Sequence, residues 1–100
     1  MAAAIREEPL RDWDFHREAA RLRVSYSGFR EKFRRLSGSP PHEFMLKCRM
    51  LRAAALLREG RLGVKEVASL CRFEDMPSFS RMFKRKMGLS PSAWRSLPGG

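Results

Sequence analysis

The chain contains nearly the same phrase twice, fifty positions apart. Residues 29–44 read FREKFRRLSGSPPHEF and residues 79–94 read FSRMFKRKMGLSPSAW. A repeat of this kind indicates one supersecondary unit used twice. Since 100 residues suffice for one modest domain, we expect two small, coupled halves rather than two large independent domains. The matched identical positions are Phe29/Phe79, Phe33/Phe83, Arg35/Arg85, Gly38/Gly88 and Pro41/Pro91.

Each copy carries the signals of a capped amphipathic helix. Between Ser25 and Gly38, the residues Phe29, Phe33 and Leu36 recur at the spacing of one helical stripe. Ser25 is a favourable N-cap, and Gly38 can end the helix in a left-handed turn. The second copy repeats these signals with a capping Asp75, Pro77 in the first turn, a stripe of Phe79, Met82 and Phe83, and a final Gly88.

A shorter helix precedes each of these helices, which predicts two helix-turn-helix units. Ala19 and Ala68 would allow the two helices of a unit to approach closely, and the expected shared core is Leu22/Cys71, Val24/Phe73 and Phe29/Phe79. The turns carry Arg23 and Arg72 where Gly is usual. A non-Gly residue at positive φ costs about 1 kcal/mol, so both turns are expected to be strained or differently wound.

The stretch PPHEFMLKCRMLRAAALLREG joins the two units and has apolar residues on more than one face. One stripe is Phe44, Cys48, Leu51 and Ala55, and another is Leu46, Met50, Ala53 and Leu57. A helix that is apolar on two sides has to pack against two partners. We therefore expect an all-α fold of two helix-turn-helix subdomains joined by a long linker helix; the alternative is a helix buried in a single bundle core. The expected segments are 1–12 (N-terminal segment), 13–38 (first helix-turn-helix), 39–60 (linker helix) and 61–97 (second helix-turn-helix).

Charge points to a polyanionic partner. The net charge is +10, with eighteen basic against six acidic residues in positions 21–100. Such a surplus repels itself unless a polyanion relieves it, which favours nucleic acid over an anionic membrane surface. No apolar run approaches the roughly 18 residues of a membrane span, and the N-terminus lacks a signal-peptide pattern, so we expect a cytoplasmic protein.

The outward faces of the two main helices support this interpretation. With Phe29 and Phe33 inward, the opposite face presents Ser27, Arg30, Glu31 and Arg34. Any one such helix is ordinarily a solvated charged face, but here the pattern occurs twice, each time after a helix-turn-helix turn. Arginine forks can read guanine in the major groove, whereas basic residues further along suit phosphates. The second outward set is Pro77, Ser80, Arg81, Lys84 and Arg85, and the expected phosphate-binding residues are Arg34, Arg35, Lys84, Arg85 and Lys86.

The order of motifs resembles the DNA-binding domain of AraC/XylS-type transcription regulators over residues 13–95. The most specific part is the run FxRxFKRxxGxSPSxWR from Phe79 to Arg95. The resemblance implies sequence-specific binding of double-stranded DNA by a bacterial transcription regulator whose two recognition helices enter successive major-groove segments. By position it implies base-reading by Ser27, Arg30, Glu31, Met76, Pro77, Ser78 and Arg81.

The chain departs from the family pattern at several places. The resemblance implies a first helix before Trp13, of which residues 1–12 are expected to hold only a remnant. Arg72 stands where the family generally has Gly, and Met76 and Pro77 offer no side-chain hydrogen bond, so the second unit is expected to read thymine methyls or little sequence. The resemblance implies a separate sensing or dimerising domain, which makes this chain an excised domain or a short stand-alone member. We expect a monomer in isolation, with any dimerisation through a missing domain, RNA polymerase as a second partner, no membrane contact, and no cofactor or metal.

Two other function classes remain as alternatives. One is an architectural or RNA-binding module, which would need exposed aromatic platforms; only Tyr26 is expected to be exposed. The other is an enzyme, which the residue inventory disfavours because it holds no catalytic triad, phosphate-binding Gly loop or metal cluster. Cys48 and Cys71 are expected to be buried reduced thiols rather than methyl acceptors, and His16 and His42 surface or capping residues.

Overall fold

Helices account for all the regular structure in residues 1–98, the part of the chain that the computed structural model describes, and no strand occurs there. The predicted all-α class is confirmed. Within this range no helix has both the length and the apolar content to cross a bilayer. The helices are α1 (Ala2–Glu7), α2 (Phe15–Arg21), α3 (Tyr26–Ser37), α4 (Pro41–Glu59), α5 (Val64–Leu70), α6 (Met76–Met87) and α7 (Pro91–Arg95).

The repeat produces two helix-turn-helix units, α2–α3 and α5–α6, whose helices pack against each other in pairs. Ser25 caps α3 by accepting from the Gly28 N–H at 3.0 Å, and Asp75 caps α6 by accepting from the Ser78 N–H at 2.7 Å. Gly38 and Gly88 end these helices with the same left-handed geometry, φ 90° and ψ −15°. The predicted start and stop signals are therefore confirmed in both copies.

Both turns close through the same hydrogen-bond motif. Arg23 N–H donates to the Ala20 carbonyl and Val24 N–H to the Ala19 carbonyl; the second turn repeats both bonds at Arg72 and Phe73. This is the Schellman arrangement, in which the residue after the C-cap is left-handed. Arg23 has φ 58° and Arg72 has φ 66°, so both arginines take the conformation that glycine adopts without strain.

The first compact unit, Met1–Cys48, has an aromatic core. Ring centroids of Phe15 and Phe29 lie 6.4 Å apart, those of Phe29 and Phe33 6.2 Å, and those of Phe33 and Phe44 5.4 Å. The α1 helix contributes the fully buried Ile5, and the Arg6 guanidinium lies over the Phe44 ring at 5.2 Å. The N-terminal helix is thus part of this core.

The second compact unit, which begins at Arg49, packs around the fully buried Phe79 and Phe83. Phe73 meets Phe79 edge-on at 5.6 Å, and Phe83 meets Trp94 at 5.9 Å. The Trp94 indole donates to the Ala54 carbonyl at 3.2 Å. The α7 helix is thereby joined to α4.

Two arginine side chains hold the backbone on either side of α5–α7 through hydrogen bonds. The Arg58 guanidinium on α4 donates to the Leu97 carbonyl at 2.6 Å and the Pro98 carbonyl at 2.8 Å, and Arg95 donates to the Leu62 carbonyl. These bonds pair backbone carbonyls that follow α7, and one in the loop before α5, with arginine side chains.

Several expected core positions are exposed instead. Leu36, in the last turn of α3, is 78% exposed, so the buried stripe of this helix ends at Phe33. Leu22 and Val24 are about half exposed, whereas their counterparts Cys71 and Phe73, which flank Arg72 in the same turn geometry, are buried and half-buried. On α4 the stripe of Leu46, Met50, Ala53 and Leu57 is buried, whereas Leu51 and Ala55 of the other stripe are exposed.

Candidate nucleic-acid interface

Helix α3 presents a polar face opposite its buried phenylalanines. Ser27, Arg30, Glu31, Arg34 and Arg35 are all exposed, while Phe29 and Phe33 face the core. At about 100° per residue, Arg34 lies within about 20° of Ser27 around the helix axis, between Arg30 and Glu31. The residues expected to read bases and one expected to bind phosphate therefore share a single strip of the helix.

An ion pair joins two members of this strip. The Arg34 guanidinium donates from Nη2 to Glu31 Oε1 at 2.6 Å and from Nε to Glu31 Oε2 at 3.2 Å. The hydrogen bond from Arg34 lowers the pKa of the Glu31 carboxyl below its usual value, and the same bond raises the pKa of Arg34. The sequence predicts separate roles for these two residues, although an acidic residue three positions before an arginine on a helix is a known pairing signal.

Helix α6 presents a more basic face without a carboxylate. Met76, Pro77, Arg81, Lys84 and Arg85 are exposed, and none of the residues of α6 is acidic. At the positions fifty residues after Glu31 and Arg34, α6 carries Arg81 and Lys84. The ion pair of α3 consequently has no counterpart in the second copy.

The remaining candidates on α6 are held by local contacts. Ser78 is half-buried, and its hydroxyl oxygen lies 3.4 Å from Arg81 Nη2. Lys86 is also half-buried, and Arg85 Nη2 lies 3.5 Å from the Met82 sulfur. The candidate residues of α6 thus divide into an exposed set of five and a partly covered pair, Ser78 and Lys86.

The helix N-termini differ in charge. Asp75 caps α6 with a carboxylate whose pKa is lowered, first by the hydrogen bond from the Ser78 N–H. The N-cap of α3 is the neutral hydroxyl of Ser25. An ionised cap satisfies the helix dipole at α6, whereas the N-terminus of α3 keeps more positive potential.

Tyr26 is not the exposed platform that the sequence suggested. It is half-buried, and its ring stacks on His16 with centroids 3.8 Å apart. All ten aromatic residues of the chain are buried or half-buried. Within residues 1–98 there is also no group of three His, Cys, Asp or Glu side chains that could hold a metal ion.

Known proteins show the same arrangement. The sequence model of a family described as helix-turn-helix domain matches residues 19–96. The transcriptional activator RhaR of Escherichia coli (strain K12) is 35% identical over 68 residues, covering 68% of this chain and 24% of RhaR. The chain therefore spans about a quarter of the length of the curated relatives it matches.

Solved structures extend the likeness to nearly the whole chain. The C-terminal domain of AraT, a response regulator from Geobacillus stearothermophilus, superposes with a TM-score of 0.86 at 26% identity, covering 99% of this chain and 83% of that one. The DNA-binding domain of AdpA, a global transcriptional factor whose structure contains a target DNA, gives a TM-score of 0.82 at 34% identity over 94% of this chain and 85% of that one.

Proposed function

Because the chain belongs to the AraC-type helix-turn-helix domain family, we propose that it is the DNA-binding part of a transcription regulator and binds double-stranded DNA sequence-specifically. The observation that carries this proposal is the duplicated capped helix, α3 and α6, each with an exposed face rich in Arg and Lys. An α-helix fits the major groove of B-DNA, and two such helices can occupy successive segments of it. The target DNA bound by the related AdpA domain supports the same partner.

The roles of individual residues follow from their positions along each helix. Residues near the helix N-termini reach base edges, and later basic residues reach phosphates. The sequence predicts a phosphate contact for Arg34, but its ion pair with Glu31 distinguishes it from the other predicted phosphate-binding residues. We assign base contacts to Ser27, Arg30, Glu31, Met76, Pro77, Ser78 and Arg81, and phosphate contacts to Arg35, Lys84, Arg85 and Lys86.

A competition experiment separates the two kinds of contact. A preferred duplex is selected from a random library, and binding is compared on that duplex and on random DNA. Arg30→Ala should weaken binding to the preferred duplex by about 1–3 kcal/mol more than to random DNA. Lys84→Ala should weaken both alike and reduce the slope of log K against log salt by about one unit.

The matched outcomes decide the proposal. Equal losses on both duplexes for Arg30→Ala would remove its base-reading role. A wild-type domain that selects no duplex from the library would remove sequence-specific binding altogether.

The other function classes have less support. An RNA-binding or architectural module would need exposed aromatic side chains on which bases stack, yet every aromatic residue of the chain is buried or half-buried. For methyl transfer a reactive thiolate is needed, but burial raises the pKa of Cys71 to about 11 and raises that of Cys48 as well. Since the matching family consists of regulator domains rather than enzymes, we propose a non-catalytic role.

The wider biology follows from the same proposal. The domain would act in the bacterial cytoplasm, associated with the nucleoid, without binding membranes. RNA polymerase is the expected protein partner. The isolated chain would be monomeric, since two different reading units on one chain need no symmetric partner. We retain the segments 13–38 and 61–97 as the two reading units, 39–60 as their linker and 1–12 as the N-terminal segment.

A further inference from the structure

We propose that Arg34 reads a guanine base rather than binding phosphate, and that Glu31 acts through Arg34 as a positioning residue instead of contacting a base itself. This inference rests on the proposed function and assigns a specificity-determining role within it. It starts from the two-point ion pair on the exposed face of α3.

The ion pair leaves the Nη1–Nη2 end of the Arg34 guanidinium able to contact DNA. Arginine has five N–H donors, and Glu31 accepts one from Nε and one from Nη2. The three remaining N–H groups lie on the end formed by Nη1 and Nη2. That end carries two parallel donors, which is the geometry that guanine O6 and N7 accept.

The pair also brings the guanidinium to the right place along the helix. Glu31 lies about one turn, a rise of roughly 4.5 Å, nearer the N-terminus of α3, so the ion pair directs the Arg34 side chain toward the end that meets base edges. Arg34 lies on the same strip as Ser27 and Arg30. Both the axial and the angular position therefore favour a base contact.

Electrostatics argue against a phosphate contact. A carboxylate beside the guanidinium offsets its charge and repels the phosphate backbone, which weakens counterion release. A residue that serves only as a phosphate clamp gains nothing from such a neighbour. The matched position on α6, Lys84, has Arg81 in place of the acid, as a phosphate contact would require.

The wild-type chain supplies the first test. In the selected duplex, each guanine is replaced in turn by deazaguanine, in which carbon takes the place of the N7 acceptor. One guanine in the block read by α3 should lose about 5-fold or more in affinity, which corresponds to about 1 kcal/mol, because one of the two hydrogen bonds of the bidentate contact is removed. Arg34→Ala should bind both versions of the duplex equally, since the contact is then already lost.

A second variant isolates the role of Glu31. Glu31→Gln keeps the size of the side chain but removes the charge that holds Arg34. We expect the sensitivity to deazaguanine at that one base to fall several-fold, while affinity for random DNA stays equal or rises because a negative charge has been removed. A merely structural role for Glu31 would not move this base-specific readout. Arg35→Ala, on the same helix, is the matched control and should weaken all duplexes alike.

The failure of this inference is distinguishable from the failure of the proposed function. If the wild-type chain selects a duplex but Arg34→Ala weakens that duplex and random DNA by the same factor, Arg34 is a phosphate contact and the inference is wrong. If Glu31→Gln leaves the deazaguanine sensitivity unchanged, its positioning role is wrong. If the wild-type chain selects no duplex, the proposed function itself fails.

Discussion

Arg23 and Arg72 occupy the left-handed position of the two Schellman turns, with φ 58° and φ 66°. A side chain with a Cβ atom is strained there because Cβ approaches the following carbonyl. The repetition of an arginine at the same turn position in both units shows that the turn geometry is kept without glycine. The sequence left open a strained turn or a differently wound one, and the structure has both arginines at the positive φ of the first alternative.

The strain at Arg23 can be measured by removing its Cβ. Arg23→Gly should raise the free energy of unfolding by up to about 1 kcal/mol relative to Arg23→Ala, because only glycine adopts this φ freely. Urea unfolding of the two variants gives the difference, and Arg23→Ala is the control for loss of the guanidinium. Equal stability of the two variants would contradict the presence of strain at this turn.

Other residues could not be predicted because their exposure depends on packing partners distant in sequence. Leu36 continues the apolar stripe of α3 but lies beyond the covered turns, whereas Tyr26 is shielded by His16 from the preceding helix. An arginine on a helix, such as Arg58, is ordinarily expected to face solvent, yet its side chain donates to the backbone carbonyls of Leu97 and Pro98. Periodicity locates a face on a helix, but it does not say which other element covers that face.

The starts and ends of the helices could be predicted from the sequence alone. Caps and stop signals depend on a few neighbouring residues, so Ser25, Asp75, Gly38 and Gly88 were identified correctly. The two apolar stripes of α4 were harder to interpret. Only tertiary packing distinguishes the buried Met50 and Leu57 from the exposed Leu51.

The matched N-caps make a direct pH experiment possible. Ser25→Ala should lower the free energy of unfolding by about 1 kcal/mol at every pH, because a hydroxyl does not titrate in this range. Asp75→Ala should be most destabilising at neutral pH. The pKa of the Asp75 carboxyl is lowered in the folded state, so its stabilisation is complete above the ordinary value of 3.8 and is lost as pH falls through the lowered folded value.

Urea unfolding from about pH 7 to about pH 2 checks this difference. The difference in free energy of unfolding between wild type and Asp75→Ala should become smaller in acid. The same difference between wild type and Ser25→Ala should stay constant. A constant gap for both variants would show that the charge of Asp75 adds nothing to the cap.

At the scale of the whole molecule, the surplus of positive charge is divided between two faces of different character. Helix α3 combines Arg30, Lys32, Arg34 and Arg35 with Glu31, whereas α6 carries Arg81, Lys84, Arg85 and Lys86 without an acid. Phosphate binding benefits from unopposed charge, and base-reading benefits from positioned charge. If Arg34 reads a base as proposed, we expect α3 to supply the larger share of sequence discrimination and α6 the larger share of salt-dependent affinity.

Two reading helices on one chain predict the form of the target site. If α3 and α6 enter successive major-groove segments, a duplex selected from a random library should contain two blocks about one helical turn apart, roughly 10 to 10.5 base pairs from centre to centre. Inserting about five base pairs between the blocks turns them to opposite sides of the duplex, so affinity should fall to that of a duplex with one block. A duplex with one block scrambled is the control for the contribution of each helix. One uninterrupted block, or an affinity that does not change with the insertion, would mean that only one of the two helices enters the major groove.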